Sequence, residues 1–158
     1  MKYTITIPES ELQQQIDLRN FYMGESAKRK DMDADTIQSS KEDKDLLRMF
    51  MHTACNGLVT AVALRFPSIS YRVEEGNILF EFETGNAIYS HLLPMLQQAI
   101  MDCIVNETIM QWLLLRRPEM AHTYISLRSS LCSDVLFGFA KIYNNKKIRR
   151  RATDLAGI

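Results

Sequence analysis

The 158-residue chain has few of the residues on which cross-linked folds and phosphate-binding folds depend. It contains three cysteines, an odd number, with no C-x-x-C spacing, so a complete disulfide framework is excluded. We expect all three to be reduced thiols packed within helices: Cys55, Cys103 and Cys132. The six glycines form neither G-x-x-x-x-G-K-[ST] nor G-x-G-x-x-G, so the sequence carries no phosphate-binding loop.

Long apolar runs are also missing. No stretch reaches about 18 uninterrupted apolar residues, the length that a membrane-spanning helix requires. Residues 1–8 alternate between polar and apolar side chains, whereas a signal peptide has a continuous apolar segment. The sequence therefore predicts no membrane span and a protein made in the cytosol.

Catalytic and metal-binding motifs are absent from the sequence. The three histidines are scattered, and no H-x-x-x-H, H-E-x-x-H or Cys/His pair occurs. Ser90 and His91 are adjacent, as are the residues of the 132–134 run, but neighbouring helix residues point apart, and there is no G-x-S-x-G elbow. The sequence predicts no catalytic residue, no metal site and no cofactor, and thus no enzyme. The histidines are His52, His91 and His122.

Charge is balanced overall, with 19 bases and 19 acids, but it is unevenly placed. Residues 141–158 contain six bases and one acid, Asp154. Three interpretations of this basic excess stay open: contacts to nucleic-acid phosphates, contacts to an acidic protein partner, or a solvated cluster that complements a helix C-terminus. The candidate partner-binding residues are Lys146, Lys147, Arg149, Arg150 and Arg151.

Two segments have the period of β-strands. Residues 3–7 alternate and are stopped by Pro8, which predicts a half-buried strand. Residues 70–83 form two alternating runs around Glu75-Gly76-Asn77, which predicts a hairpin with Gly76 at a positive φ. Together they predict a small antiparallel hairpin or three-stranded sheet. Arg72 would pair across strands with Glu81 or Glu83, and one core face is expected for Tyr71, Val73, Ile78, Phe80 and Phe82.

Three apolar stretches, at 41–66, 86–115 and 118–143, predict three long helices. The first is apolar on most sides after Met51, which predicts a centrally buried helix. The second would begin at Thr84-Gly85-Asn86 and kink or break at Pro94, and the third would have Pro118 at its first position. Near-complete burial is expected for Leu58, Val62, Ile100, Ile104, Leu131, Val135 and Phe139.

The remaining segments are shorter or more polar. A short helix is predicted from Ser10 to about Met23, ended by Gly24. Residues 25–45 contain only two large apolar side chains, which predicts a mobile polar segment. Capping boxes before the first long helix are predicted for Ser39 with Glu42 and for Ser40 with Asp43.

These elements give an α+β class that is mostly α: a bundle of three long helices with the small sheet. The predicted organisation is one domain over residues 1–143, followed by a basic C-terminal extension over 144–158. The layout of helical body, hairpin, polar segment and terminal extension resembles the small head-to-tail connector and neck proteins of tailed bacteriophages and prophages. The resemblance implies a ring-forming virion component, made in the bacterial cytoplasm, that bridges portal and tail through its extensions. It transfers no residue role.

Two functional hypotheses follow. The first is a non-enzymatic structural or assembly protein that forms a homo-oligomer, such as a connector ring, and contacts neighbouring structural proteins. The alternative is a small nucleic-acid-binding or regulatory module that uses the basic extension.

Overall fold

The computed structural model describes residues 1–28, 38–85 and 87–143. It confirms an α+β fold that is mostly helical, but these described ranges contain four long helices in place of three. The basic cluster at 146–151 lies outside the described residues. The elements in chain order are β1 (Lys2–Pro8), α1 (Glu9–Lys28), α2 (Lys44–Ala63), β2 (Ser70–Glu74), β3 (Asn77–Glu83), α3 (Leu92–Arg116), a 3₁₀ turn (Pro118–Met120) and α4 (His122–Tyr143).

Helix α1 is longer than predicted, because Gly24 does not end it. Gly24 is buried inside the helix, and a Cβ there would lie 2.7 Å from Nε2 of Gln38. The glycine therefore allows Gln38 to approach the helix closely. The predicted loop over 25–45 is wrong at both ends, since Glu25–Lys28 belongs to α1 and α2 begins at Lys44. The rest of that prediction falls largely on residues 29–37, outside the described residues.

Neither predicted capping box closes: the N-cap of α2 is Asp43, which makes no side-chain cap hydrogen bond, and only half of the box of Ser40 with Asp43 is present. The carboxylate of Asp43 accepts hydrogen bonds from the backbone N–H and the hydroxyl of Ser40, each at 2.8 Å. The pKa of Asp43 lies below its usual range, chiefly because its carboxylate accepts the hydrogen bond from the Ser40 N–H. The guanidinium of Arg116, 2.8 Å from the same carboxylate, lowers the pKa further. The hydroxyl of Ser39 instead donates to Asp17 at 3.0 Å, which joins this turn to α1.

The second long helix starts later than predicted. Thr84 pairs with Met1 through two hydrogen bonds of 2.6 and 2.9 Å, so it prolongs the sheet and does not begin a helix. Helix α3 begins at Leu92, which places Pro94 in its first turn. A backbone N–H there has no partner within the helix, so proline is tolerated and α3 runs unbroken to Arg116. Pro118 opens the 3₁₀ turn that precedes α4.

The three-stranded antiparallel sheet has the order β1-β3-β2. The two-residue turn between β2 and β3 places Glu75 at φ 49° and Gly76 at φ 75°, which confirms the positive φ predicted for Gly76. The predicted cross-strand pair also forms, with Arg72 3.5 Å from Glu81. The predicted core face is correct for β3, but on β2 Val73 is 40% exposed and Tyr71 is only half-buried.

The core surrounds α3, against which α1, α2 and α4 all pack. The prediction of a central first helix is therefore wrong: the central helix is α3, where Trp112 is the largest fully buried side chain. Six of the seven predicted core residues are at most 5% exposed. Leu131 is the exception and is only half-buried.

Two helical glycines give a stability prediction, because they differ in the space around them. A Cβ on Gly57 in α2 would meet nothing within 4 Å, whereas one on Gly138 in α4 would lie 3.0 Å from Leu96. We expect Gly57→Ala to raise the free energy of unfolding by about 0.5–1 kcal/mol, because alanine loses less backbone entropy in a helix. Gly138→Ala should gain less, since buried Leu96 must move. Urea unfolding of the monomer followed by circular dichroism measures both; equal gains would contradict the prediction.

Candidate interaction surface

Helices α2 and α4 flank α3 and form a groove over it. Near their C-terminal ends the two helices are joined by Phe66, whose ring lies 5.7 Å from that of Phe139 and 4.8 Å from that of Tyr143. Elsewhere they leave a cavity of about 220 Å³ open to solvent. We call this cavity the groove. Its floor is Cys103, Glu107 and Gln111 of α3, and its walls include Ala54, Gly57 and Ala61 of α2 and Arg128 and Cys132 of α4.

One face of α2 carries no charged side chain over about five turns. Its residues recur every three or four positions, so they lie on one side of the helix beside the groove. Leu64, at one end of this face, is 84% exposed, and Met49, near the other end, is 54% exposed. The charged residue Arg48 lies elsewhere on the helix and pairs with Glu9 at 3.1 Å. We call this surface the uncharged α2 face: Leu46, Met49, Thr53, Gly57, Thr60 and Leu64.

The two threonines of this face are made less polar by the helix itself. The hydroxyl of Thr53 donates to the carbonyl of Met49 at 2.9 Å, and that of Thr60 donates to Asn56 at 2.8 Å. Both donors are thus satisfied within α2. The surface that is offered to a partner consists of methyl groups, a glycine and three large apolar side chains, of which Leu46 is half-buried.

The charges in the groove are paired with one another. Glu107 accepts from Arg128 at 2.8 Å across α3 and α4, and Gln111 donates to Glu107 at 3.4 Å. An unpaired carboxylate buried under a partner would be costly. Because Glu107 is already paired, a partner that covers the groove would bury no unpaired carboxylate in its floor.

The thiols of Cys55 and Cys103 are poor nucleophiles. Burial raises the pKa of Cys55 to about 12, with the charge of Glu9 adding to it. The pKa of Cys103 is also raised to about 12, chiefly by burial, and the charges of Cys132 and Glu107 raise it further. The thiolate is the reactive form, so at neutral pH these groups act as packing residues. All three cysteines are free, as predicted.

Helix α1 has an unusual distribution of polar and apolar side chains after residue 17. Leu18, Phe21 and Tyr22 point outward and are each at least half exposed, with the two rings 5.8 Å apart. On the inner side Asn20 is buried, and its amide has no hydrogen-bond partner among the described residues. Large apolar groups therefore face water while a polar amide is buried. We call Leu18, Phe21 and Tyr22 the α1 apolar patch.

The histidine and serine residues that could act in catalysis or metal binding do not lie together in one site. His52 bonds Glu9 at 3.0 Å, and the ring of His91 stacks on Tyr89 at 5.8 Å. The hydroxyl of Ser133 donates to the carbonyl of Ser129 at 2.9 Å. Within the described ranges, no three His, Cys, Asp or Glu side chains are arranged to hold a metal ion.

Sequence reasoning identified the basic cluster, which lies outside the described residues, and missed both apolar surfaces. A signal for the uncharged α2 face was present, because no charge occurs at its positions between Leu46 and Leu64. The apolar width of this helix predicts a central position instead. In the structure part of that apolar surface faces solvent.

In comparisons with known proteins, no family model, no curated protein and no solved structure matches the chain significantly. Among the described helices, none combines the length and the apolar character needed to cross a bilayer.

Proposed function

We propose that this chain is a non-enzymatic structural or assembly protein that self-associates. The observation that carries the proposal is the uncharged α2 face beside the groove. Interface centres are depleted of charge, and exposed apolar surfaces of this kind mark protein contacts. A single exposed leucine would mean little, but here the exposed residues are continuous along one helix.

The more specific form of the proposal is a homo-oligomeric ring of the phage head-to-tail connector or neck type. In that role the ring would contact neighbouring structural proteins, and the extension over 144–158 would reach one of them. The protein would be made in the bacterial cytoplasm and carried in the virion. This form is supported by the likeness of layout described above.

Deleting residues 144–158 tests whether the extension takes part in assembly. We expect the full chain to form a discrete oligomer in light scattering, and the truncated chain to keep its helical content but lose much of the assembled fraction. Replacing the five bases by glutamine should have a similar effect and should make assembly less sensitive to salt, because salt screens charge contacts. A full chain that stays monomeric at all concentrations would contradict the proposal.

The alternative function is nucleic-acid binding, and it is favoured by the five bases within residues 146–151. Each phosphate contact would add to the salt dependence of the affinity. Fluorescence anisotropy with short DNA and RNA, on the same two proteins, separates the functions. If the truncated chain assembles normally but loses its affinity for DNA or RNA, this alternative replaces the assembly function.

A further inference from the structure

Helices α3 and α4 run antiparallel, and their contacts fix which residues face each other. Leu96, near the start of α3, lies against Gly138, near the end of α4. Glu107, farther along α3, pairs with Arg128, nearer the start of α4, at 2.8 Å. Residues of the two helices therefore face each other when a step forward along α3 is matched by a similar step back along α4.

In this register two cysteines face each other beside the groove. Cys103 precedes Glu107 by four residues on α3, and Cys132 follows Arg128 by four residues on α4. Residues four apart lie on the same side of a helix, so the two thiols meet one turn away from the charged pair. Both line the groove, Cys103 in its floor and Cys132 in its wall.

The electrostatics of Cys103 agree with this placement. Burial is the main cause of its raised pKa, and the charge of Cys132 is the next largest cause. A like charge raises a pKa in this way when it lies close by. The third cysteine, Cys55, is fully buried and is not part of the groove lining, so a reagent that enters the groove meets Cys103 and Cys132 first.

The N-terminal half of α4 buries little apolar surface. The three buried side chains of this helix all lie at or after Val135. The first half is joined to α3 by polar contacts, among them the pair of Arg128 with Glu107 and the amide of Asn106, which donates to the carbonyl of Tyr124 at 3.0 Å. Segments with few buried apolar contacts open most readily. A covalent link between α3 and Cys132 would fix the part of α4 that packing secures least.

We propose that Cys103 and Cys132 form a reversible redox pair, which a disulfide-class oxidant such as oxidised glutathione converts to a disulfide that links α3 to α4. The thiolate of Cys132 attacks one sulfur of the oxidant, which forms a mixed disulfide and releases the other oxidant sulfur as a thiol. The thiolate of Cys103 then displaces the remaining oxidant sulfur and completes the link. Two cysteine thiols are oxidised, one oxidant disulfide is reduced, and the two protons end on the two released thiols.

The order of attack follows from the raised pKa of Cys103. A thiol with a pKa of about 12 is seldom ionised at neutral pH, so Cys103 reacts slowly with an oxidant in solution. Once Cys132 carries the mixed disulfide, the sulfur of Cys103 is held beside its target. Proximity then offsets its low ionisation.

The test treats the folded natural sequence with excess oxidised glutathione at neutral pH and then counts free thiols by alkylation in denaturant and mass spectrometry. The protein should lose two hydrogens and keep one alkylatable thiol, that of Cys55. Peptide mapping should place the link between Cys103 and Cys132. The control variant Cys55→Ala should form the same link, whereas Cys132→Ser, a small change at a half-buried position, should form none.

The link should also stabilise the fold. It closes a loop of about 30 residues, for which the usual gain corresponds to a rise in Tm of roughly 10 °C in a chain of this size. The oxidised natural sequence should show this rise and lose it again after treatment with dithiothreitol. Cys132→Ser, oxidised and reduced in the same way, should show no shift.

Several results would overturn the redox pair. If all three thiols remain alkylatable after prolonged oxidation, the sulfurs of Cys103 and Cys132 do not meet. A mixed disulfide that accumulates without closing, or a link that includes Cys55, leads to the same conclusion. A link that lowers Tm would mean that it forms only by pulling α3 and α4 out of their packed positions, which also contradicts the proposal.

Discussion

Replacing Phe139 with alanine is expected to lower the free energy of unfolding by about 3–5 kcal/mol, the usual cost of deleting a buried aromatic side chain. Phe139 is fully buried on α4. Its ring lies 5.2 Å from that of Phe82 in β3, edge to face, and 5.7 Å from that of Phe66. Loss of this ring would therefore loosen the contact of α4 with both the sheet and the end of α2.

Leu131→Ala is the matched comparison on the same helix. Leu131 is only half-buried, so its truncation should cost less than about 2 kcal/mol, below the range for buried leucines. Urea unfolding of both variants as monomers, followed by circular dichroism, gives the two values. Equal losses would show that α4 is packed differently from the description above.

Alkaline pH is expected to destabilise the protein through Cys55. The pKa of this thiol is raised from 9.0 to about 12 in the folded state, chiefly by burial. Because the folded pKa lies above the unfolded one, the stabilisation is complete below pH 9 and is lost as pH rises toward 12. A difference of about three pKa units corresponds to about 4 kcal/mol in full, and about half of that is lost near pH 10.5.

The free energy of unfolding of the natural sequence and of Cys55→Ala, measured from pH 8 to pH 11, isolates this contribution. Other groups also titrate here, among them Tyr71, whose pKa is raised by burial. Most of that titration is common to both proteins, so the difference in slope reports Cys55 together with its small effect on Tyr71. The slope should be smaller in Cys55→Ala. Identical slopes would mean that the thiol is open to water in the folded protein.

The sequence by itself determined the small sheet. The hairpin follows from alternation of side chains over a few residues and from a glycine at position 76, where the turn needs a positive φ. The strand at the N-terminus follows from the same alternation. These features depend on neighbours in the chain, so they are readable from the sequence, as is the α+β class.

Only the tertiary structure decided which helix is central and where apolar surface stays exposed. Periodicity gives the width of an apolar stripe, but it does not say what covers that stripe. The position of α3 between its three neighbours buries Trp112, leaves Leu131 half-buried and keeps Met49 and Leu64 in solvent. Likewise, Gly24 lies within α1, where its missing side chain leaves room for Gln38, a contact that local propensity does not contain. Each of these outcomes is set by residues distant in sequence.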